Sequence, residues 1–245
     1  MEFAAKLARG ADKVLSLIAV LMILLLLCYG GYSLWDTAML YKGAFNSSDL
    51  LQYKPSADDP ESLTFEELLN LNPDVCAWIT VDDTHIDYPV VQGKDNMEYV
   101  NKDVKGEFAF SGAIFLDSQN KRDFSDSYNL LYGHHMEGGA MFGDVVEFRD
   151  KSYFDSHETG TLYLPGKAIP ITFFACVSTD AFDSVVYHPD AQPAGDVTTL
   201  LNYLQGTAVQ YRDIGVTAKD QIIGLSTCSE AVTNGRVVLF GRLDK

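Results

Sequence analysis

The run QIIGLSTCSEAVTNGRVVLFGR near the end of the chain holds Cys228 where one apolar stretch stops and Arg236 where the next begins. A cysteine is a useful nucleophile only as the thiolate, so it needs a base or a positive field beside it. The chain has five histidines, and His134 and His135 are adjacent in LLYGHHMEGGAMFG, directly after an apolar run and a glycine. Successive residues of an extended chain point to opposite sides, so only one of the pair can face a site. His134, which follows Gly133, is the candidate base and His135 the alternative. His85 sits beside a turn, and His157 and His188 lie in polar loop contexts that read as surface. Each piece also has a plain structural reading: an inert buried thiol, a solvent-facing histidine pair, a surface charge at a strand start. A zinc site from His134, His135 and Cys228 is disfavoured, because the adjacent imidazoles diverge and no CxxC or HxxxH spacing accompanies them. On these residues alone, a Cys–His enzyme is only narrowly ahead of a non-catalytic binding domain.

Bringing those groups together takes a scaffold, and from Val75 onward the chain reads mostly as short strands. CAWITV and HIDYPVV flank DDT as a hairpin. GAIFLD, SYNLLYG, GTLYLP, IPITFFACVS, QIIGLST and RVVLFGRL follow, separated by Gly, Asp, Asn and Pro. Eight such runs predict a closed or nearly closed barrel, which leaves few raw strand edges. Two helical patterns interrupt them, AMFGDVVEFRDKSYFDSH and DVTTLLNYLQGTAVQYRD. The second carries Val197, Leu200, Leu201 and Leu204 at helical spacing. Ahead of the strands, Thr64 and Glu67 in TFEELLNLNPD form a capping-box signature for a short helix.

The 245 residues are 47% hydrophobic, enough for one domain with a sizeable core plus a short extra segment. A net charge of −16 repels phosphate backbones and argues against a nucleic-acid partner; it otherwise reads as a solvated surface. Residues 14–35 form 22 consecutive residues without a charge, close to the ~20 that a helix needs to span a bilayer. Tyr29, Tyr32 and Trp35 gather at the far end, and Lys6, Arg9 and Lys13 precede the run, which places the amino terminus in the cytoplasm. The run exceeds the apolar core of a cleaved signal peptide, and no small-residue cleavage site follows it. The organisation expected is a cytoplasmic tail (1–13), a transmembrane anchor (14–35), a polar linker (36–60) and an extracellular catalytic domain (61–245). With Cys28 in the span, three cysteines remain outside it. The sequence leaves a Cys76–Cys176 bond open, and two separate buried thiols fit the irregular spacing better.

Several segments resemble the sortases. LSTC at 225–228 is similar to the sequence around the family's nucleophile, YGHHM at 132–136 to its histidine segment, and GRVV carries Arg236 at the family's arginine. The likeness runs from about Leu63 to Leu243 in the order His, Cys, Arg, with an amino-terminal anchor as is usual there. WITVDDTHIDYPVVQGKDNMEYVN, YGHHMEGGAMFG and the helix before the nucleophile strand resemble class B. The resemblance implies a mostly β fold: a closed eight-stranded sortase-type barrel with a few short helices, preceded by one transmembrane helix. It implies a cysteine transpeptidase with Cys228, His134 and Arg236 catalytic, and with no metal or cofactor. Its partners would be a sorting-signal peptide and an amine acceptor, either a cell-wall precursor or a pilin lysine. Asn96, Val100, Thr179, Val185, Val186, Ser226 and Thr227 match positions lining the class B peptide groove. Ser229 departs from the acidic residue that some members carry after the cysteine. A pilin polymerase on the same fold and an inactive surface-anchored binding domain are the alternatives.

The topology is directly testable. Protease added to cells stripped of their wall is expected to release the domain beyond residue 36; full protection would overturn the orientation.

Overall fold

The computed structural model describes residues 2–41, 44, 48–55, 63–228 and 234–244. The chain divides into two compact units, Met1–Tyr41 and Lys42–Lys245. The first is one helix, α1 (Glu2–Leu40). Its stretch Ala5–Leu40 is long and apolar enough to cross a membrane, and the charge-free run predicted as the span lies inside it.

The second unit is built on β1 (Val75–Val81), β2 (Asp87–Val91), β3 (Ile114–Leu116), β4 (Tyr128–Tyr132), β5 (Thr159–Leu164), β6 (Lys167–Asp180), β7 (Gln210–Tyr211), β8 (Gln221–Cys228) and β9 (Gly235–Leu243). Eight of them follow the order β5-β1-β2-β3-β4-β8-β9-β6, and β6 pairs back onto β5 to close the barrel. Closure satisfies the ladder hydrogen bonds that open edges would leave exposed. These eight are the predicted runs. The ninth, β7, is a two-residue addition to the edge of β6, in the tail of a segment predicted as helix. Pro165 and Gly166 turn β5 into β6, and Gly166 takes φ +69, the backbone a type II turn demands at that place.

Both faces of the sheet are covered, so every residue of β1 is buried rather than every second one. Helix α2 (Ser48–Leu51) precedes α3 (Leu63–Leu71). Phe65 and Leu68 of α3 pack on Trp78, Val91 and Phe115, with Leu50 and Tyr53 against the same cluster. The segment predicted as one helix over 140–157 is a 3-10 turn, Gly143–Arg149, and then α4 (Lys151–Ser156). Asp150 breaks it by taking extended backbone and accepting the Tyr153 N–H as the cap of α4. Helix α5 (Thr198–Thr207) buries Leu200, Leu201 and Leu204, with Val197 just ahead, on the outer side of β4, β8, β9 and β6. Each buried leucine there contributes about 1.5–3 kcal/mol.

Residues 36–40 of the predicted linker continue α1, and its later described residues pack on the barrel. Lys54 forms an ion pair with Asp87 at 2.7 Å, and Asp87 also accepts the Trp78 indole N–H at 2.6 Å. The Tyr88 hydroxyl donates to the Ala44 carbonyl at 2.9 Å and accepts the Met141 N–H at 2.9 Å. Ala44, Tyr88 and Met141 are all buried. Tyr88→Phe would strand a buried carbonyl and a buried N–H together. It is expected to lower unfolding free energy in urea by about 1–3 kcal/mol; an unchanged midpoint would show that neither group depends on the hydroxyl.

Candidate active site

Strand β8 carries the thiol, and its two neighbours determine what the thiol meets. Against β9 it runs antiparallel, and the last rung of that ladder pairs Cys228 with Arg236. Residues directly opposite in such a pair have Cβ atoms about 4.5–5.5 Å apart on one face. Against β4 it runs parallel, with Tyr132 level with Ser226. The ladder continues past the end of β4: Gly133 N–H donates to the Ser226 carbonyl at 3.1 Å, and the Thr227 hydroxyl donates to the Gly133 carbonyl at 2.9 Å. The chain thus leaves β4 alongside β8, with His134 the next residue after Gly133. Arg236 also pairs with Thr179 of β6 on its other side. Cys228, Arg236 and Thr179 therefore form one rung across β8, β9 and β6, and His134 enters the loop that starts beside it.

Gly133 is where β4 hands over to the histidine loop, and a side chain does not fit there. A Cβ would lie 2.5 Å from Ile114 and 2.7 Å from the Phe142 ring. The loop folds back on itself, with Phe142 N–H donating to the His134 carbonyl at 3.0 Å and His135 bridging to Met141. Nε2 of His134 lies 2.8 Å from the Val100 carbonyl. A carbonyl can only accept, so Nε2 carries a proton and Nδ1 is the nitrogen left for proton transfer. His135 has a buried Nδ1 with no hydrogen-bond partner, and it bridges to Met141.

A cavity of about 440 Å³ opens beside Arg236, lined also by Asn96, Phe115, Tyr132, Phe182, Asp183 and Tyr187. Tyr132 stacks between Phe115 (5.2 Å) and Tyr187 (6.2 Å). The Tyr187 hydroxyl is pushed up to about 12, chiefly by burial; its bond to Ser226 and the charge of Arg236 pull the other way. The loop after β6 is tied down by Asp183. Its carboxylate accepts from Thr179 (2.6 Å), from Tyr203, and from the Val185 and Val186 N–H groups (2.9 and 3.1 Å). Burial pushes this carboxyl up, but the four donors together hold it below the usual carboxylate value.

The groove residues expected from the sequence divide accordingly. Asn96 lines the cavity, Thr179 lies on the rung, and Val100 meets the site through its carbonyl. Val185 is half-buried and Val186 fully buried in the outer core. Ser226 and Thr227 are buried too; Ser226 holds the Tyr187 hydroxyl at 3.0 Å and Thr227 holds Gly133. Ser229 lies outside the described residues. Sequence reasoning missed the aromatic walls. Tyr132, Phe115 and Tyr187 look like ordinary strand and loop residues, and only Phe182, 81% exposed, departs from what a core aromatic does. His188, read as surface, is exposed and also lines the cavity.

No protein-family model matches the chain. Over 179 residues, 72% of this chain and 72% of the relative, it is 34% identical to sortase B of Listeria monocytogenes. Among solved structures it is similar to a Streptococcus pyogenes class B sortase involved in pilus biogenesis, at 44% identity and TM-score 0.68, covering 74% of this chain and 97% of that one. It is similar also to a Staphylococcus aureus sortase B–substrate complex, at 30% identity and TM-score 0.68, covering 74% of this chain and 85% of that one. The barrel is thus that of the sortase cysteine transpeptidases. Within them, the chain belongs to the class B sortases. The reading as a non-catalytic binding domain falls away.

All four thiols are free, so Cys76 and Cys176 are not paired. Burial pushes both up to about 12, whereas Cys228 is only half-buried. Iodoacetamide at neutral pH is expected to alkylate Cys228 at least about ten-fold faster than Cys76 or Cys176, as read by peptide mass mapping. Equal rates would mean that the site gives its thiol no advantage.

Proposed function

We propose that this sortase joins a sorting-signal peptide to an amine through a thioacyl intermediate on Cys228. The observation that supports this most directly is Arg236 directly opposite Cys228, with His134 following Gly133 where the chain after β4 stays bonded to β8. Cys228 passes its thiol proton to His134, the resulting thiolate attacks the scissile carbonyl, and the new S–C bond gives a tetrahedral oxyanion. Arg236 donates to that oxygen or to the neighbouring peptide carbonyl through its planar, permanently charged fork. As the C–N bond breaks, His134 gives a proton to the departing amine and a thioester remains. The incoming amine then loses its proton to His134, its nitrogen bonds to the carbonyl carbon, and the thiolate leaves. No net oxidation occurs, and one amide replaces another.

The cavity beside Arg236 is the place for the peptide, with Asn96 in its lining, and Thr179 and Val185 support it by bonding the lining residue Asp183. Val100 serves through the His134 ring, and Val186, Ser226 and Thr227 serve by holding that lining and the histidine loop in place. The anchor is residues 14–35 within α1, with the amino terminus in the cytoplasm and the catalytic unit outside, where wall precursors supply the acceptor amine. Pilin polymerisation, with a pilin lysine as acceptor, is the second reading, favoured by the likeness to the pilus-associated streptococcal enzyme.

Cys228→Ala and His134→Ala are each expected to abolish ligation, with His135→Ala much milder. Arg236→Lys is expected to stay impaired by about 10²–10³-fold, the usual cost of losing one oxyanion donor. A near-normal lysine variant would reduce the arginine to a source of field. Added amine is expected to raise turnover and divert product from free acid to amide, because a bound amine outcompetes water by effective molarity. Unchanged rate and product with amine would make the enzyme a hydrolase.

A further inference from the structure

We propose that Asp117 is a positioning residue for peptide selection, its buried carboxylate holding the Asn96 amide so that an N–H and no oxygen is offered to the cavity. This rests on the cavity being the peptide site, as read above.

Asp117 follows β3, is 1% exposed, and is fixed by its backbone: its N–H donates to the Leu130 carbonyl at 2.8 Å, and its carbonyl accepts from the Gln92 amide at 2.9 Å. Its Oδ2 accepts from Asn96 Nδ2 at 2.9 Å and from the Tyr132 hydroxyl at 2.7 Å. Its Oδ1 accepts the Gln119 N–H at 2.9 Å. Asn96 Oδ1 in turn accepts the Ser118 N–H at 2.7 Å. Those two neighbours leave the amide a single orientation. Flipped, it would set oxygen against carboxylate and NH2 against N–H, two repulsive contacts in place of two bonds. One N–H of Asn96 is thereby committed to Asp117, and the other is left for the cavity.

The remaining polar groups near Asn96 leave it as the local donor, since Tyr187 is bonded to Ser226 and His188 is an exposed lining residue. Burial, and then the charge of Asp117, push the Tyr132 hydroxyl well above the ordinary tyrosine value, so it stays a donor committed to Asp117. The cavity's own carboxylate, Asp183, is already saturated by four donors. Arg236 can only donate. A peptide side chain seated against Asn96 therefore meets its spare N–H, and an acceptor oxygen satisfies it.

The test uses the full chain and a position-scanning library of pentapeptide amides, with thioester adducts on Cys228 trapped by acid and counted by mass spectrometry. At one peptide position the wild type is expected to favour Asn, Gln, Asp or Glu over Leu and Lys by about ten-fold or more, because the Asn96 N–H, desolvated by the bound peptide, penalises a side chain without an acceptor. Asp117→Asn is expected to bring that ratio close to unity while iodoacetamide still alkylates Cys228 at close to the wild-type rate. The exchange Asp117→Asn with Asn96→Asp rebuilds the buried amide–carboxylate bond and keeps the Ser118 contact, so its melting temperature is expected to recover. It also turns an oxygen toward the cavity, so the preference is expected to move to Lys or Arg. Acceptor preference surviving in a folded Asp117→Asn variant, or returning in the double exchange, would overturn the proposal. Wild-type adducts without any positional preference would sink it alone, and no adduct with any peptide would sink it together with the transpeptidase reading.

Discussion

The site depends on one strand arrangement: β8 runs parallel to β4 on one side and antiparallel to β9 on the other. A slip of one residue in either ladder would turn every side chain of β8 to the opposite face and separate thiol from guanidinium. Packing prevents the slip. Gly224 lies level with the fully buried Leu130, and a Cβ there would be 2.9 Å from the Tyr128 oxygen and 3.1 Å from the Leu130 side chain. Its neighbours Ile223 and Leu225 cannot occupy that rung. Gly241 does the same on β9, where a Cβ would lie 2.4 Å from Ile171. Two glycines facing large residues thus set the register, and the register sets the chemistry.

A second layer gives the rung its surroundings. The outer faces of β4, β8, β9 and β6 are covered by α5 and by the segment containing Val185 and Val186. That cover stops short of the rung's end, so Cys228 and Arg236 are only half-buried whereas Ser226 and Val238, one step down the same face, are buried. A nucleophile needs both conditions at once: a dry, rigid base below it and an open side for the peptide. Asp183 makes the cover and the cavity wall one structure, because it bonds Thr179 on the barrel, Tyr203 on α5 and the backbone of the loop between them.

The acidity of the chain, which reads as a solvated surface, has a second use in the fold. Asp87 joins Trp78 to Lys54, Asp144 accepts both the backbone N–H and the ring of His85, and Asp103 accepts two N–H groups of its own turn. A short carboxylate side chain can satisfy backbone donors that a loop leaves unpaired. Much of the negative charge is thereby spent inside the molecule, as clamps on the long connections that a closed barrel requires.

Cys228, His134 and Arg236 stood out in the sequence as candidates because their chemistry is rare and their segments are distinctive, and the eight barrel strands were legible because buried apolar runs are bounded by Gly, Asp and Pro. The amphipathic stripe of α5 was legible for the same reason: Val197, Leu200, Leu201 and Leu204 are all buried as their spacing requires. Local pattern did not show that Asp150 would split the 140–157 segment, nor that the strip at 210–211 would extend β6, since both outcomes depend on what lies alongside. It could not show that Ser226 and Thr227, neighbours of the nucleophile, turn to structural bonds. Nor could it show that Tyr132, Tyr187 and Asp117 meet at one cavity. Residue type and periodicity are properties of a segment, and the sequence by itself determined the elements and the reactive groups. Which groups share a rung or a wall depends on register between strands far apart in the chain, and only the closed, packed barrel decided that.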